Sequence, residues 1–211
     1  MQRIDPVRPG NALITKAAGL IQSARLVAYP TETFYGLAAD PRSLEAVERV
    51  FEAKGRPERM ALPLIAADEP TVMTCARHFP EAAHRLAAAF WPGALTLVLP
   101  ASDDLPPLLL GGGHSVGVRI SPHPVAAALA RATGGPIIAT SANRSGQAAP
   151  STASEVEQAL GDSVALILDG GVTRGGAAST VLDLTVEPPR VIRSGAVPIQ
   201  AIERVLGRKL G

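Results

Sequence analysis

Along nearly its whole length the chain alternates short apolar runs, too brief for helices, with longer segments whose apolar residues recur at helical spacing. That alternation restricts the fold most, because short buried runs need sheet partners and amphipathic segments need a surface to cover. "RLVAYP", "ALTLVLP", "SVGVRIS", "PIIAT", "VALILDGG", "STVLDLT" and "RVIRSG" read as strands. "NALITKAAGLIQSA" has a cap-like Asn11 and places Leu13, Ala17, Leu20 and Ile21 on one helical face. "SLEAVERVFEAKG" offers Ser43 as N-cap, Leu44, Val47, Val50 and Phe51 as its apolar face, and Gly55 as its stop. A third helix in "PEAAHRLAAAFWPG" closes at Pro92 and Gly93, and Ser121 with Pro122 opens a fourth through "HPVAAALARATGG". Thr152 and Glu155 have capping-box spacing, and Pro198 starts a final helix. At least six strands interleaved with five or six helices predict an α/β or α+β fold around a mixed sheet, as one domain over residues 1–211.

Twenty Lys and Arg stand against nineteen Asp and Glu, a net charge of +1, which excludes the strongly basic balance of a nonspecific nucleic-acid binder. Any anion site must therefore be local. With 3% aromatic residues, a stacking platform for single-stranded bases is equally unsupported. No apolar run approaches the roughly 18 residues of a membrane span, and "MQRIDPVRPG" has no apolar stretch of the secretory kind. The expectation is a cytoplasmic protein without membrane attachment. Cys75 is the sole cysteine, so neither an intrachain disulfide nor a multi-cysteine zinc site is available, and a buried thiol is its expected role.

The polar residues with chemical capacity gather at element ends. Thr31, Glu32 and Thr33 follow a strand; Lys54 and Arg56 flank Gly55 in "AKGRP"; Ser141 and Asn143 follow "PIIAT"; Arg119, Ser179, Thr180 and Arg193 lie in or beside other strands. Each has an ordinary reading. Cations at a helix C-terminus complement the macrodipole by about 0.3–1 kcal/mol, and Ser and Asn form turns without any ligand. Lys54 and Arg56 are thus either a basic helix end or half of an anion site. No GxxxxGK[ST] loop is present, "GGGHS" lacks its lysine, and Ser141 lies in "TSANRSG" rather than in a nucleophile elbow. His78, His84, His114 and His123 include no HExxH pair, which argues against a metal held by side chains.

Taken in order, "YPTETFYGLAAD", "FEAKGRP", "FWPGALTLVLP", "VGVRISPHPVA", "TSANRSG", "LDGG" and "STVLDLT…VIRSG" resemble the threonylcarbamoyl-AMP synthase family, the YrdC-like domain proteins, across about residues 12–197. The resemblance implies a twisted mixed β-sheet with flanking helices around a deep, positively lined cavity. It implies a reaction in which L-threonine, bicarbonate or CO2, and ATP give threonylcarbamoyl-AMP and pyrophosphate, with Mg²⁺ accompanying ATP and no metal held by the protein. By the family's Lys-x-Arg and Ser-x-Asn signature, Lys54 and Arg56 are the catalytic cations. Lys54, Arg56, Ser115, Ser141, Asn143 and Arg193 are implied to contact ATP, and Thr33, Arg119 and Ser179 to contact threonine. The implied downstream partner is a tRNA-modifying threonylcarbamoyl transferase, with weak binding of tRNA or other RNA as a further expectation.

The chain departs from the family's common pattern after the basic pair. Met60, Ala61, Leu62 and Ile65 stand where many members carry Asn-Pro-Leu and a histidine, Ala149 replaces a frequent serine, and "IRSG" replaces Arg-Pro-Gly. Two competing expectations come from other classes: an RNA-binding or ribosome-maturation module with a steep salt dependence, and a carbamoyl-adenylate-forming paralogue that turns over without threonine.

Overall fold

The computed structural model describes residues 1–57 and 59–211 of the chain. Its strands are β1 (Gln2–Arg3), β2 (Val27–Pro30), β3 (Tyr35–Ala38), β4 (Leu64–Ala66), β5 (Leu95–Pro100), β6 (Ser115–Ile120), β7 (Ile137–Ile138), β8 (Thr140–Ser141), β9 (Leu166–Asp169), β10 (Thr180–Asp183) and β11 (Arg190–Arg193). Its helices are α1 (Asn11–Gln22), α2 (Leu44–Lys54), α3 (Glu69–Val72), α4 (Glu81–Phe90), α5 (Pro124–Thr133), α6 (Ala153–Leu160) and α7 (Ile199–Leu206).

The strands form two mixed sheets rather than one, ordered β1-β9-β2-β3-β8 and β11-β10-β5-β6-β4-β7. The predicted strand "PIIAT" is where they meet. Ile137 and Ile138 pair with β4 in the six-stranded sheet, whereas Thr140 and Ser141 pair with β3 in the five-stranded one. Between them, the Ala139 N–H donates to the Pro63 carbonyl at 2.8 Å. The apolar run is therefore a corner at which one strand changes sheets.

Alternation along the strands divides the core into two clusters. Leu64 packs with Leu37, Val50, Phe51 and Leu97 on one side, while its neighbour Ile65 joins Tyr29, Ile14, Ile21, Val125 and Leu129 beneath α1 and α5. Both faces of β2, β3 and β4 are covered, which explains why these strands read as unbroken apolar runs.

Local signals place the helix ends with some shifts. The Ser43 hydroxyl accepts from the Ala46 N–H, and Gly55 closes α2 at φ +57°, a left-handed conformation that favours glycine. Thr152 and Glu155 complete both bonds of their capping box. Asn11, however, is the first residue of α1 rather than its cap, and no side chain caps that helix. Likewise α5 starts two residues beyond Pro122, capped by His123, whose Nδ1 accepts from the Val125 N–H at 3.2 Å. Pro198 precedes α7 as its cap. Cys75 is buried, and burial pushes its thiol up to about 12.

Candidate active site

Strand geometry assembles a cavity of about 570 Å³ between the two sheets. Along β6, Val116, Val118 and Ile120 are buried in the apolar interior, so alternation turns Ser115, Gly117 and Arg119 to the cavity. β5 contributes Thr96, and the neighbouring β10 and β11 contribute Ser179, just before β10, and Arg193. Thr33 comes from the loop between β2 and β3, Ser141 from β8, and Arg56 from the segment after α2. The described wall holds three guanidinium groups, those of Arg56, Arg119 and Arg193, and no carboxylate or imidazole.

Each arginine is anchored without being saturated. Arg119 Nη1 lies 2.8 Å from Glu32 Oε1 and 3.5 Å from the Gly93 carbonyl, while its Nε and Nη2 have no acceptor among the described residues. Arg193 donates from Nε and Nη2 to the Ser179 carbonyl at 3.1 and 2.8 Å, and from Nη2 to Ser179 Oγ at 3.1 Å. Ser179 Oγ is in turn 2.9 Å from Thr96 Oγ1. Arg56 donates from Nη2 to the Ala61 carbonyl at 3.0 Å, and its Nη1 lies 3.5 Å from Thr140 Oγ1. Burial lowers the pKa of Arg56 and of Arg193, and the charge of Arg119 adds to the effect at Arg193. These groups remain cations and lack enough counter-charge in the cavity wall, which makes the cavity receptive to an anion.

Thr33 is held by its neighbours: its N–H donates to Thr31 Oγ1 at 3.2 Å, and its carbonyl accepts from Gly175 in the glycine-rich segment 169–179 at 2.8 Å. Seven of the nine candidate residues thus line one cavity: Thr33, Arg56, Ser115, Arg119, Ser141, Ser179 and Arg193. Lys54 and Asn143 do not. Lys54 is 3% exposed, and its Nζ donates to the carbonyls of Ser141 and Asn143, the latter at 2.7 Å, with Asn143 Oδ1 at 3.5 Å. Asn143 Nδ2 donates to the carbonyls of Arg144 and Gln147 at 3.0 and 2.7 Å. In the structure Lys54 and Asn143 brace the segment that carries Ser141.

The sequence reading missed Thr96 and Tyr29. Thr96 had a usable signal, a hydroxyl within the otherwise apolar "ALTLVLP". Of the departures from the family pattern, Met60 is exposed, while Ala61, Ile65 and Ala149 join Leu62 in the apolar part of the cavity wall.

Tyr29, on β2, is fully buried opposite Gly36 on β3, where a Cβ would sit 3.2 Å from the hydroxyl oxygen. Its hydroxyl and Arg56 Nε are the only sealed side-chain polar atoms without a partner among the described residues. Burial raises the Tyr29 pKa, so the hydroxyl stays protonated with nothing to bond. Removing an unsatisfied buried hydroxyl is near neutral or stabilising. Tyr29→Phe is therefore expected to hold or raise stability by up to about 1 kcal/mol, read as a urea midpoint at unchanged m. A loss of more than about 1 kcal/mol would instead identify a buried water as the missing partner.

Residues 19–195 match the Sua5/YciO/YrdC family model, described as "Telomere recombination". A threonylcarbamoyl-AMP synthase of Pyrococcus abyssi is 45% identical over 191 residues, covering 90% of this chain and 56% of that protein. One from Bacillus subtilis is 41% identical over 204 residues, covering 96% and 59%. The chain thus spans little more than half the length of either relative. The crystal structure of P. abyssi Sua5 complexed with L-threonine superposes with a TM-score of 0.93 at 42% identity, covering all of this chain and 62% of that one. Sequence motifs, fold and relatives agree, and the chain belongs to the Sua5/YciO/YrdC family.

Proposed function

We propose that the protein is an L-threonylcarbamoyladenylate synthase, a nucleotidyltransferase that condenses L-threonine, bicarbonate or CO2, and ATP into threonylcarbamoyl-AMP and pyrophosphate. The observation that carries this reading is a single cavity with three guanidinium groups, several hydroxyls and no carboxylate in its described wall. Such a wall suits one ligand with a carboxylate and another with a triphosphate. The relatives named as synthases, and the relative solved with L-threonine, support the same assignment.

The threonine amine captures CO2 as a carbamate, and a carbamate oxygen attacks the α-phosphorus as pyrophosphate leaves in line. Side chains need to move few protons in such a reaction, so the protein's work is positioning and charge neutralisation. Arg119 pairs with the threonine carboxylate through Nε and Nη2, which have no acceptor among the described residues, a bidentate arrangement that lysine cannot reproduce. Thr33 and Ser179 face the rest of the amino acid, with the Ser179–Thr96 hydroxyl pair suited to its side-chain hydroxyl. Arg56 and Arg193, with Ser115 and Ser141, face the nucleotide. Mg²⁺ enters as part of the MgATP substrate, bound chiefly by phosphates. The walls also shelter the carbamate from water.

The product feeds a separate transferase that modifies tRNA, in the cytoplasm, and weak contact with tRNA is compatible with local rather than overall positive charge. No helix among the described residues is long and apolar enough to cross a membrane.

Pyrophosphate release should require ATP, Mg²⁺, bicarbonate and L-threonine together, with serine far less effective and the product having the mass of threonylcarbamoyl adenylate. Release from folded protein without threonine would replace this reading with a carbamoyl-adenylate-forming paralogue. Salt-sensitive RNA affinity without turnover would point to an RNA-binding module.

A further inference from the structure

We propose that Glu32 is a positioning residue that sets the plane of the Arg119 guanidinium for side-on capture of a substrate carboxylate. The inference rests on the synthase reading above and assigns a role to a residue that touches no substrate. Glu32 lies in the loop between β2 and β3 and is absent from the cavity wall. Both of its oxygens are occupied: Oε1 lies 2.8 Å from Arg119 Nη1, and Oε2 accepts from Ser121 Oγ at 2.7 Å. Ser121 is 2% exposed, and its Oγ accepts from the His123 N–H at 3.2 Å. The orientation of the carboxylate is therefore dictated by the end of β6 and the start of α5, two rigid elements, rather than by its own loop.

A guanidinium is planar, so pinning Nη1 fixes the direction of the Nε and Nη2 pair. Those are the atoms left without an acceptor, and neither is among the sealed, unpartnered atoms. They form the fork that a second carboxylate can occupy with two parallel bonds. Electrostatics alone makes the opposite prediction. A carboxylate 2.8 Å from Arg119 repels an incoming carboxylate, so on charge grounds its removal should tighten binding. Orientation and charge thus predict changes of opposite sign.

The test compares wild type, Glu32→Ala, Glu32→Gln and Ser121→Ala, with KM measured for L-threonine and for ATP. L-threoninol, which keeps the amine and hydroxyl but lacks the carboxylate, serves as a competitive inhibitor. Glu32→Ala should raise the threonine KM by about tenfold, the scale of one charge-assisted bond. The ATP KM and the threoninol inhibition constant should stay within about twofold, because neither uses the oriented fork. Glu32→Gln, whose amide oxygen can take the place of Oε1 beside Arg119 Nη1, should recover most of the loss. Ser121→Ala should lie between, at about threefold, and keeps the proposal testable if Glu32→Ala does not fold. Tighter or unchanged threonine binding, or threonine and threoninol moving together, would overturn the assignment. A wild type with no threonine dependence overturns the synthase reading and this role with it, and that result appears before any variant is compared.

Discussion

Arg56→Ala is expected to lower kcat/KM for ATP by about 10²–10³-fold, the cost of losing one donor to developing transition-state charge. Little stability should be lost, about 0.5 kcal/mol or less by the urea midpoint. The two halves of the prediction have one cause. Among the described residues Arg56 is anchored only by the Ala61 carbonyl and by Thr140 Oγ1 at 3.5 Å, its Nε is sealed without a partner there, and burial lowers its pKa. The native state holds this cation at some cost, so its removal relieves a poorly solvated charge as it takes away a triphosphate ligand. Arg56→Lys retains the charge but lacks the planar fork, and should restore about a tenth of wild-type activity or less. ATP use within about tenfold of wild type in Arg56→Ala would remove this residue from the nucleotide site. A large fall in stability would instead make it a structural strut.

Much of this arrangement is legible in the sequence, and what is hidden has identifiable reasons. Alternation in "SVGVRIS" turns Ser115 and Arg119 to the same side, and the structure adds only what lies on that side. The Gly55 stop and the Thr152–Glu155 box are local, and each forms as its residues imply. The switch of sheets at Ala139 is invisible because no glycine or proline separates Ile138 from Thr140, and the bond made at the break is to the Pro63 carbonyl, more than seventy residues earlier. Glu32 illustrates the same limit. Its partners Arg119 and Ser121 lie nearly ninety residues away, and nothing in "PTET" distinguishes a carboxylate that binds substrate from one that aims an arginine. Spacing likewise groups Lys54 with Arg56, whereas the left-handed turn at Gly55 sends the two side chains to different tasks.

Lys54→Met is expected to damage both stability and activity, the combination that separates it from Arg56→Ala. Methionine keeps the apolar stem but removes the ammonium that binds the carbonyls of Ser141 and Asn143. Losing these charge-assisted bonds should cost about 2–4 kcal/mol, since each is worth roughly 1.5–3 and the buried charge is removed with them. Activity should fall by about 10²-fold or more, because Ser141 belongs to a two-residue strand in the cavity wall and Ser145 also donates to the Lys54 carbonyl, at 2.7 Å. Hydrogen exchange across residues 141–147 should accelerate in Lys54→Met and not in Arg56→Ala. The pH dependence has a definite sign. Burial, reinforced by Arg56, lowers the ammonium from its ordinary 10.5 to about 8. Between those values the unfolded chain binds more protons than the folded one, so wild type gains stability relative to Lys54→Met as pH rises through that window, and loses the gain as pH falls through about 8. If Lys54→Met abolished ATP use with unchanged stability and exchange, its ammonium would have to leave these carbonyls and reach the nucleotide in the bound state. The brace would then be a resting position from which ATP withdraws it.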